Sequence, residues 1–381
     1  MKNVIIAFVL LLIGCGERPK LERILSDGSA TFLETLDNEK HEIQIIYGEV
    51  KGDSIIHHVY GDTSQYFYPA STIKMLNAFA SIQWLRENKL SLRSTVQMDS
   101  TVHHPRNLTY DSLFKDSLRV ENLLKKIFVY SDNQANNILF NTIGKDYVNG
   151  LYANLGLKTR IIHQLGESAF SFTPESNSWS AKTIITHAKN AVKSAASKQD
   201  FNSDLSPKNQ RKGKGYMNKS GDVIMKPFDF TVKNYVPLRS LIGSLERVIK
   251  PSFFRVDSRF DFDKQTYQEL EEIMSLRPID LPYPIDTLKD NYVKFLIYGD
   301  SQASTYDESM VIMNKVGWAY GYLTDVAYIK DTKNDVEFFL AATIHVNENE
   351  IYNDGIYEYD SVGLPFLGEL GRLVYQYELN K

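Results

Sequence analysis

The sequence predicts an α/β protein in which one antiparallel sheet carries the terminal helices and the middle of the chain forms an all-helical lobe. Apolar and β-branched runs typical of strands occur near both ends, at 41–60 and 310–346. Between them, apolar residues recur mainly at helical spacing. Strands from both ends pair most simply in a single sheet, and we expect a cleft where that sheet meets the helical lobe.

The composition is that of an ordinary globular protein. The chain has 381 residues, of which 43% are hydrophobic and 24% are charged. This length fits one large or two moderate domains with a sizeable core. A formal net charge of −4 gives no overall preference for nucleic acid.

The N-terminus predicts a processed lipoprotein. Residues 1–14 combine a positive Lys2 with an apolar run that is short for a membrane span, as in a signal peptide. The run ends at Cys15, the only cysteine of the chain, in a segment that resembles the bacterial lipobox. We expect Cys15 to be lipidated, 15–28 to form a tether and the protein to lie in the bacterial cell envelope, facing the periplasm or in the outer membrane. The alternative is an ordinary signal peptide with an incidental cysteine.

The mature part is predicted as one domain, 29–381, which begins with a helix at 29–36. Strands at 41–47 and 54–60 are separated by glycines typical of a hairpin turn. Further helices are expected at 71–88, 120–128, 138–143, 146–155 and 180–195, with Gly144 and Gly156 as stops and Ser180 as an N-cap. The segment 90–98 alternates and predicts a short strand or an extended link.

A basic insertion is predicted around 197–235, because apolar residues become scarce there and lysines and arginines accumulate. We interpret it as a solvated surface segment; the alternative is a patch that binds anionic envelope polymers or head groups. Beyond it the sequence predicts two helices, four strands and a terminal helix, at 237–249, 263–276, 292–298, 310–316, 323–330, 336–346 and 362–379.

Ser71 and Lys74 are the first candidate catalytic residues. They lie three positions apart at the start of a predicted helix, which places hydroxyl and amine on one face. The helix N-terminus adds a positive dipole end and unpaired backbone N–H groups beside the hydroxyl. Such a site can activate a nucleophile and bind an oxyanion.

Two further triplets complete a set. Ser131-Asp132-Asn133 follows a predicted helix, and Lys315-Val316-Gly317 lies on a predicted strand. With Ser71-x-x-Lys74 they match, in chain order, the S-x-x-K, S-D-N and K-T-G motifs. The chain therefore resembles class A β-lactamases and penicillin-binding proteins over most of its mature length, and residues 318–325 are similar to the hairpin that follows K-T-G in class A enzymes.

These residue types suit acyl transfer. Lys74 can take the proton of Ser71 only if its pKa is lowered, which burial and a second cation such as Lys315 favour. Ser131 can relay that proton to the leaving nitrogen, and Asn133 can hold Lys74 and a substrate amide.

The resemblance also implies an αβα sandwich with the active site between sheet and helical lobe. It implies an oxyanion hole made by the backbone N–H groups of Ser71 and Trp318, with Lys315, Gly317 and Asn133 among the substrate-binding residues.

The sequence departs from the class A pattern at two places. Val316 replaces the threonine of K-T-G, so the hydroxyl offered to the β-lactam carboxylate is absent. In the loop where class A enzymes carry the deacylating glutamate, residues 166–171 supply Glu167 but have Ser171 in place of asparagine. Glu167 is the candidate for deacylation, and Glu175 is the second choice.

Metal chemistry is not favoured. The adjacent histidine pairs 57–58 and 103–104 point apart in a strand and splay on a helix, and the chain has no H-E-x-x-H motif. We expect no metal and no cofactor.

The sequence therefore predicts a monomeric, lipid-anchored serine hydrolase of the class A β-lactamase-like family that hydrolyses β-lactams through an acyl-enzyme on Ser71. One alternative is a peptidoglycan DD-peptidase or an esterase, acting on a cell-wall peptide or a related acyl donor. Another is a penicillin-binding sensor that remains acylated. Two features discriminate among them: the residue at position 316, and the position of Glu167 relative to Ser71 and Lys74.

Overall fold

The computed structural model describes residues 18–98, 118–166, 179–180, 182–281, 288–300 and 307–381. Nine α-helices lie in these ranges: α1 Lys20–Leu25, α2 Ala30–Asp37, α3 Ile73–Glu87, α4 Val120–Tyr130, α5 Asn133–Asn154, α6 Leu238–Ile249, α7 Lys264–Ser275, α8 Phe295–Tyr298 and α9 Leu364–Leu379. The same ranges hold the strands β1 Gln44–Lys51, β2 Ser54–Tyr60, β3 Thr95–Met98, β4 Thr183–His187, β5 Asn190–Ser194, β6 Arg211–Lys212, β7 Gly215–Met217, β8 Val223–Ile224, β9 Phe228–Asp229, β10 Met310–Ala319, β11 Tyr322–Asp331, β12 Val336–His345 and β13 Ile351–Tyr352.

The central sheet joins the two ends of the chain, as predicted. Its five strands run in the order β10-β11-β12-β1-β2, and all of its pairs are antiparallel. Gln44 of β1 lies opposite Thr343 of β12. β11 and β12 are buried along almost their whole length, because helices cover both faces of the sheet.

Two layers of helices enclose this sheet. On one face, α1, α2 and α9 pack their apolar side chains against β10, β11 and β12. On the other face, α6 packs against β11 and β12, and its core continues into the helical lobe of α3, α4 and α5. The predicted αβα sandwich with an all-helical lobe is therefore confirmed.

The first hairpin turns later than the sequence indicates. β1 continues through Gly48 to Lys51, and the chain reverses at Gly52, whose φ is +57°. A Cβ on Gly48 would lie 3.0 Å from side-chain atoms of both Ile55 and Phe339. Gly48 is therefore a close-packing position inside a strand.

The predicted helix at 180–195 is wrong. The structure has a β-hairpin there, β4 and β5, which extends β3 into a small antiparallel sheet. The run Thr183-Ile184-Ile185-Thr186 is β-branched throughout, and Ala188 adopts a left-handed φ of 51° in the turn. Local β propensity and pairing with β3 outweigh the helical spacing.

Two other predictions are corrected. The segment 292–298 is not a strand: it forms turns and the short α8, and Ile297 has a φ of 80°. The helices predicted at 138–143 and 146–155 are parts of α5, which is interrupted at Gly144 by a non-helical backbone (φ 79°, ψ 156°).

The insertion at 197–235 has more secondary structure than the solvated surface segment that the sequence predicts. It contains β6 to β9, and most of its cations are exposed. Lys212 is an exception, since its ammonium group is buried and donates to Glu42 at 2.5 Å. The insertion thus has its own buried contacts with the sheet domain.

Candidate active site

Ser71 lies in a tight turn immediately before α3. The turn Ala70–Thr72 is a 3-10 helix, closed by bonds from the backbone N–H (3.0 Å) and hydroxyl (2.6 Å) of Thr72 to Pro69 O. Ala70 adopts a left-handed φ of 46°, which is costly for a residue with a Cβ. The surrounding structure holds this strained backbone in place and presents Ser71 at the edge of the helical lobe.

Gly317 allows strand β10 to approach that turn closely. A Cβ at this position would lie 2.7 Å from both Ser71 N and Pro69 O. Only a residue without a side chain fits, so the third residue of the K-V-G triplet is fixed by the distance between sheet and nucleophile turn.

The two lysines converge on Ser131. Lys74 donates to the backbone oxygen of Ser131 and, at 3.3 Å, to its Oγ. Lys315 donates to the same Oγ at 2.9 Å and to Val316 O at 2.9 Å. When both lysines are protonated, Ser131 Oγ accepts from both ammonium groups, and its own O–H proton then points away from them.

Burial sets the protonation of this pair. It lowers the pKa of Lys74 to about 7, although the nearby carboxylate of Asp132 partly opposes the effect. Burial, followed by the neighbouring charge of Lys74, holds the pKa of Lys315 well below its usual value. A neutral lysine is therefore accessible beside Ser71 near neutral pH.

The S-D-N triplet forms the junction between α4 and α5. Ser131 caps α4 with a left-handed backbone (φ 54°), and Asp132 accepts a hydrogen bond from Ala135 N at 2.6 Å to cap α5. Asn133 is exposed and lines the cleft described below. No hydrogen bond joins it to Lys74 in the described chain, which departs from the predicted contact.

A further buried lysine lies behind β10. Lys294 donates to Met274 O (3.1 Å), Ile312 O (2.7 Å) and Asn314 Oδ1 (2.8 Å). Asn314 in turn donates to Asp325 Oδ1 at 2.8 Å. Burial lowers the pKa of Lys294 to about 7 and raises the pKa of Asp325 to about 6.

A cleft of about 390 Å³ opens beside Ser71. It takes residues from the nucleophile turn, the start of α5, the 165–166 loop, the end of β10 and the loop after β12. The lining residues are Tyr68, Ala70, Ser71, Asn133, Leu165, Gly166, Trp318, Ala319, Tyr320, Asn353, Gly355 and Tyr357.

The residues that the loop after β12 contributes to the cleft were not predicted from the sequence. Asn353 and Gly355 adopt left-handed backbones (φ 63° and 77°), and Asn353 N donates to the Tyr357 hydroxyl at 2.9 Å. The signal for them was the Asn353-Asp354-Gly355 turn between strand and terminal helix, with tyrosines on both sides.

The loop that leads to Glu167 is fixed beside the S-D-N triplet. Asn137 accepts from Leu165 N at 3.1 Å and donates to Leu165 O at 2.9 Å. Gly166 has a φ of 97°, and a Cβ there would lie 2.8 Å from Asn133 Nδ2. Glu167 itself, together with Glu175 and Cys15, lies outside the described residues.

The histidines of β2 form hydrogen bonds with carboxylates. His57 bonds Glu246 at 2.5 Å, and His58 bonds Glu49 at 2.9 Å. Within the described ranges, no three His, Cys, Asp or Glu side chains are grouped to hold a metal ion. No helix of those ranges is long and apolar enough to cross a membrane.

Solved structures share this architecture. A class A β-lactamase from Bacteroides cellulosilyticus superposes with a TM-score of 0.56 at 13% identity, covering 96% of this chain and all 100% of its own. The TLA-1 extended-spectrum β-lactamase gives 0.55 at 14% identity over 94% of this chain and 99% of its own. PBP-A gives 0.52 at 15% identity, with coverages of 95% and 97%. No curated protein matches the chain in sequence.

The antiparallel sheet, its two helical layers and the helical lobe thus define the fold class of the class A β-lactamases. The sequence profile of the Beta-lactamase enzyme family matches residues 30–229, more than half of the chain. The chain belongs to this family.

Proposed function

We propose that the protein is a serine hydrolase that forms an acyl-enzyme on Ser71 and hydrolyses β-lactams. One observation carries the proposal: Lys74 and Lys315 converge on Ser131 Oγ, and the pKa of Lys74 is about 7. This combination supplies both a base for the nucleophile and an acid for the leaving group.

In the acylation step, neutral Lys74 takes the proton of Ser71. Ser71 Oγ bonds to the lactam carbonyl carbon, and the negative charge on oxygen is stabilised by the backbone N–H groups of Ser71 and Trp318. In the structure Lys74 bonds Ser131, so its neutral amine must turn toward Ser71 when substrate binds. Such bonds are commonly long or misdirected before substrate binds.

Breakdown of that intermediate cleaves the C–N bond. The nitrogen receives the Ser131 O–H proton, which points away from both lysines, and the protonated Lys74 returns a proton to Ser131. Lys315 holds Ser131 Oγ in place during the transfer. Water then cleaves the Ser71 ester, with Glu167 as general base.

The relatives support this substrate class. The neighbouring folds include named β-lactamases, and a mutant of PBP-A was solved as its acyl-enzyme complex with penicillin G. These names describe those proteins. We propose the same chemistry for this chain because it has the motif residues at the matching positions.

A peptidase or esterase is the second candidate, and Val316 favours it. The side chain is fully buried and has no hydroxyl to bind a substrate carboxylate. An acyl donor without a carboxylate on its leaving group would lose no hydrogen bond through the absence of a hydroxyl at position 316.

Intact-protein mass spectrometry with a chromogenic cephalosporin tests the proposal. An adduct that forms and clears with colour is expected; a lasting adduct would indicate a peptidase or sensor instead. Ser71→Ala should abolish the adduct. Ser81→Ala, on the same helix and bonded to Asn77 O, is the matched control and should label normally. Labelling that survives Ser71→Ala would eliminate Ser71 as the nucleophile.

Glu167→Gln tests the deacylation step. If Glu167 activates the water, this variant accumulates the adduct while forming it at the normal rate. An unchanged adduct lifetime would remove Glu167 from the mechanism, and Glu175→Gln then becomes the variant to examine.

We also propose that Cys15 anchors the enzyme to the envelope. The support is the lipobox-like segment and the uniqueness of this cysteine. Cells supplied with an alkyne fatty acid should label the wild-type protein but not Cys15→Ser. Equal labelling of both would contradict the anchor.

A further inference from the structure

The cleft beside Ser71 lies on the acyl side of the reaction. Its described lining includes Ser71, Asn133 and Trp318 but neither Ser131 nor Lys315. The leaving group must meet the Ser131 hydroxyl, which donates the proton. The part of the donor that stays on Ser71 therefore occupies the cleft.

Aromatic rings form much of this cleft. Tyr68 and Tyr320 meet edge to face, with ring centres 5.0 Å apart, and Trp318 and Tyr357 line the cleft with them. No lining residue in the described chain is charged at neutral pH. Lys233 lies close to these rings, since its ammonium group is 5.7 Å from the centre of the Tyr320 ring, but it is outside the lining.

The basic insertion supports the wall that carries Tyr357. β7 pairs in parallel with β13, and Lys214 N donates to Glu350 O at 3.0 Å. Phe228 stacks on Tyr352 with ring centres 5.5 Å apart and lies 5.3 Å from the ring of Tyr320. The loop after β12 is thus held against the insertion rather than against the central sheet alone.

The same insertion also fixes the opposite wall. Asn234 Oδ1 accepts from the backbone N–H of Ile162 (2.8 Å) and of His163 (3.1 Å), just before Leu165 and Gly166. Tyr66, which leads to the nucleophile turn, donates its backbone N–H to Lys208 O at 2.9 Å. The insertion therefore holds three segments at the cleft: the loop after β12, the loop that ends at Gly166, and the segment that leads to Ser71.

We propose that this cleft is a subsite for an uncharged aromatic acyl group, with Tyr357 and Asn353 as specificity residues and the 197–235 insertion as their support. The proposal rests on the proposed Ser71 acyl-enzyme. It assigns the insertion to substrate selection, and it makes Phe228 a positioning residue.

The selectivity has a simple physical origin. An aromatic group that leaves water for this cleft gains apolar and ring-edge contacts. A carboxylate would lose hydration without meeting a cation among the described lining residues. Asn133 and Asn353 provide side-chain amides that can bond a neutral polar group of the donor.

Three thioesters with one leaving group test the subsite on the full chain: acetyl, phenylacetyl and 4-carboxyphenylacetyl. The readouts are kcat/KM and Ser71 adduct formation by mass spectrometry. We expect the phenylacetyl donor to react at least about tenfold faster than either of the others. Equal rates for the three donors, or a faster carboxylated donor, would overturn the subsite. No adduct from any of them would instead count against the proposed acyl-enzyme.

Variants then locate the selectivity. Tyr357→Ala should reduce the phenylacetyl-to-acetyl ratio of kcat/KM toward one. Phe228→Ala should raise KM for the phenylacetyl donor with little change in kcat. Tyr375→Ala is the matched control, because Tyr375 bonds Asp331 at the far end of β11. A Tyr357→Ala protein that keeps the wild-type ratio contradicts the assignment, and if this variant does not fold, the wild-type series alone decides.

Discussion

The two sides of Ser71 are built in different ways. On the proton-transfer side, Lys74, Ser131 and Lys315 come from a helix, a helix junction and a central strand, and each has defined hydrogen bonds. On the acyl side, the cleft is lined by loops and strand ends and has aromatic walls without described charges.

Under the proposed mechanism, this difference separates the rate of the reaction from the choice of donor. The buried lysines of the proton-transfer side lie on a helix and a central strand, so we expect changes there to alter the reaction rate. The acyl side depends on loops that the insertion supports, so we expect changes there to alter which donor reacts.

Replacing Lys74 should give the largest effect. Lys74→Met removes the base, and we expect acylation to slow by about 10²- to 10⁴-fold. Lys74→Arg should not restore it, since a guanidinium stays protonated. Rapid-mixing kinetics with a chromogenic cephalosporin measure both. An active Arg variant would show that position 74 contributes only charge.

Lys294→Met tests the support behind the proton-transfer side. It leaves Asn314 Oδ1 and two backbone oxygens without their buried donor and leaves Asp325 without that cation. We expect the free energy of unfolding in urea to fall by about 3–5 kcal/mol. Lys189→Met, at an exposed hairpin tip, should change it by less than about 0.5 kcal/mol. Equal losses of unfolding free energy in the two variants would show that the buried hydrogen bonds of Lys294 stabilise the fold no more than an exposed lysine does.

Arg160→Ala is the corresponding change behind the acyl side. Its guanidinium donates to Lys233 O (3.1 Å), Leu205 O (3.0 Å) and Gln210 Oε1 (3.0 Å) of the insertion. Its loss should cost about 1.5–3 kcal/mol and speed hydrogen exchange across 205–235.

Arg160→Lys serves as the control for charge. It keeps the cation but loses the planar fork, so it should recover only part of the stability. Exchange in the insertion that remains as slow as in the wild type would contradict this role of Arg160.

The pH profile should show the smallest effect. Because the pKa of Lys74 is lowered to about 7, its neutral fraction falls tenfold for each pH unit below that value. Acylation should therefore rise with pH and level off above about 7. A rate that is flat, or that falls, over this interval would mean that another group accepts the proton.

The positions of Ser71, Lys74 and Ser131 could be predicted from the sequence because short motifs encode their local structure. The two ends of S-x-x-K lie one helix turn apart. In S-D-N, Asp132 caps α5 at the junction with α4. Each motif therefore predicts the local structure in which its residues lie. The order of strands and helices likewise predicted the sheet and its helical layers. The roles of these residues in catalysis remain predictions.

The acyl side could not be predicted in the same way. Tyr357 lines the same cleft as Tyr68 and Tyr320, and the loop that carries it is held by pairing of the insertion with β13. The helix predicted at 180–195 failed for a similar reason, since pairing with β3 decides its structure. Glu167, the residue that would discriminate among the substrate classes, lies outside the described ranges.

The pairing of β1 with β12 has a consequence for the making of the enzyme. A chain that emerges N-terminus first presents the complete Ser71–Lys74 motif long before β10, β11 and β12 exist. Gly317 and Lys315 reach the nucleophile only when these last strands join β1, and such long-range pairing is slow. The nascent chain therefore carries Ser71 and Lys74 before the residues that face them exist, and the proposed activity can begin only when the strands near the other end of the chain have been made and paired.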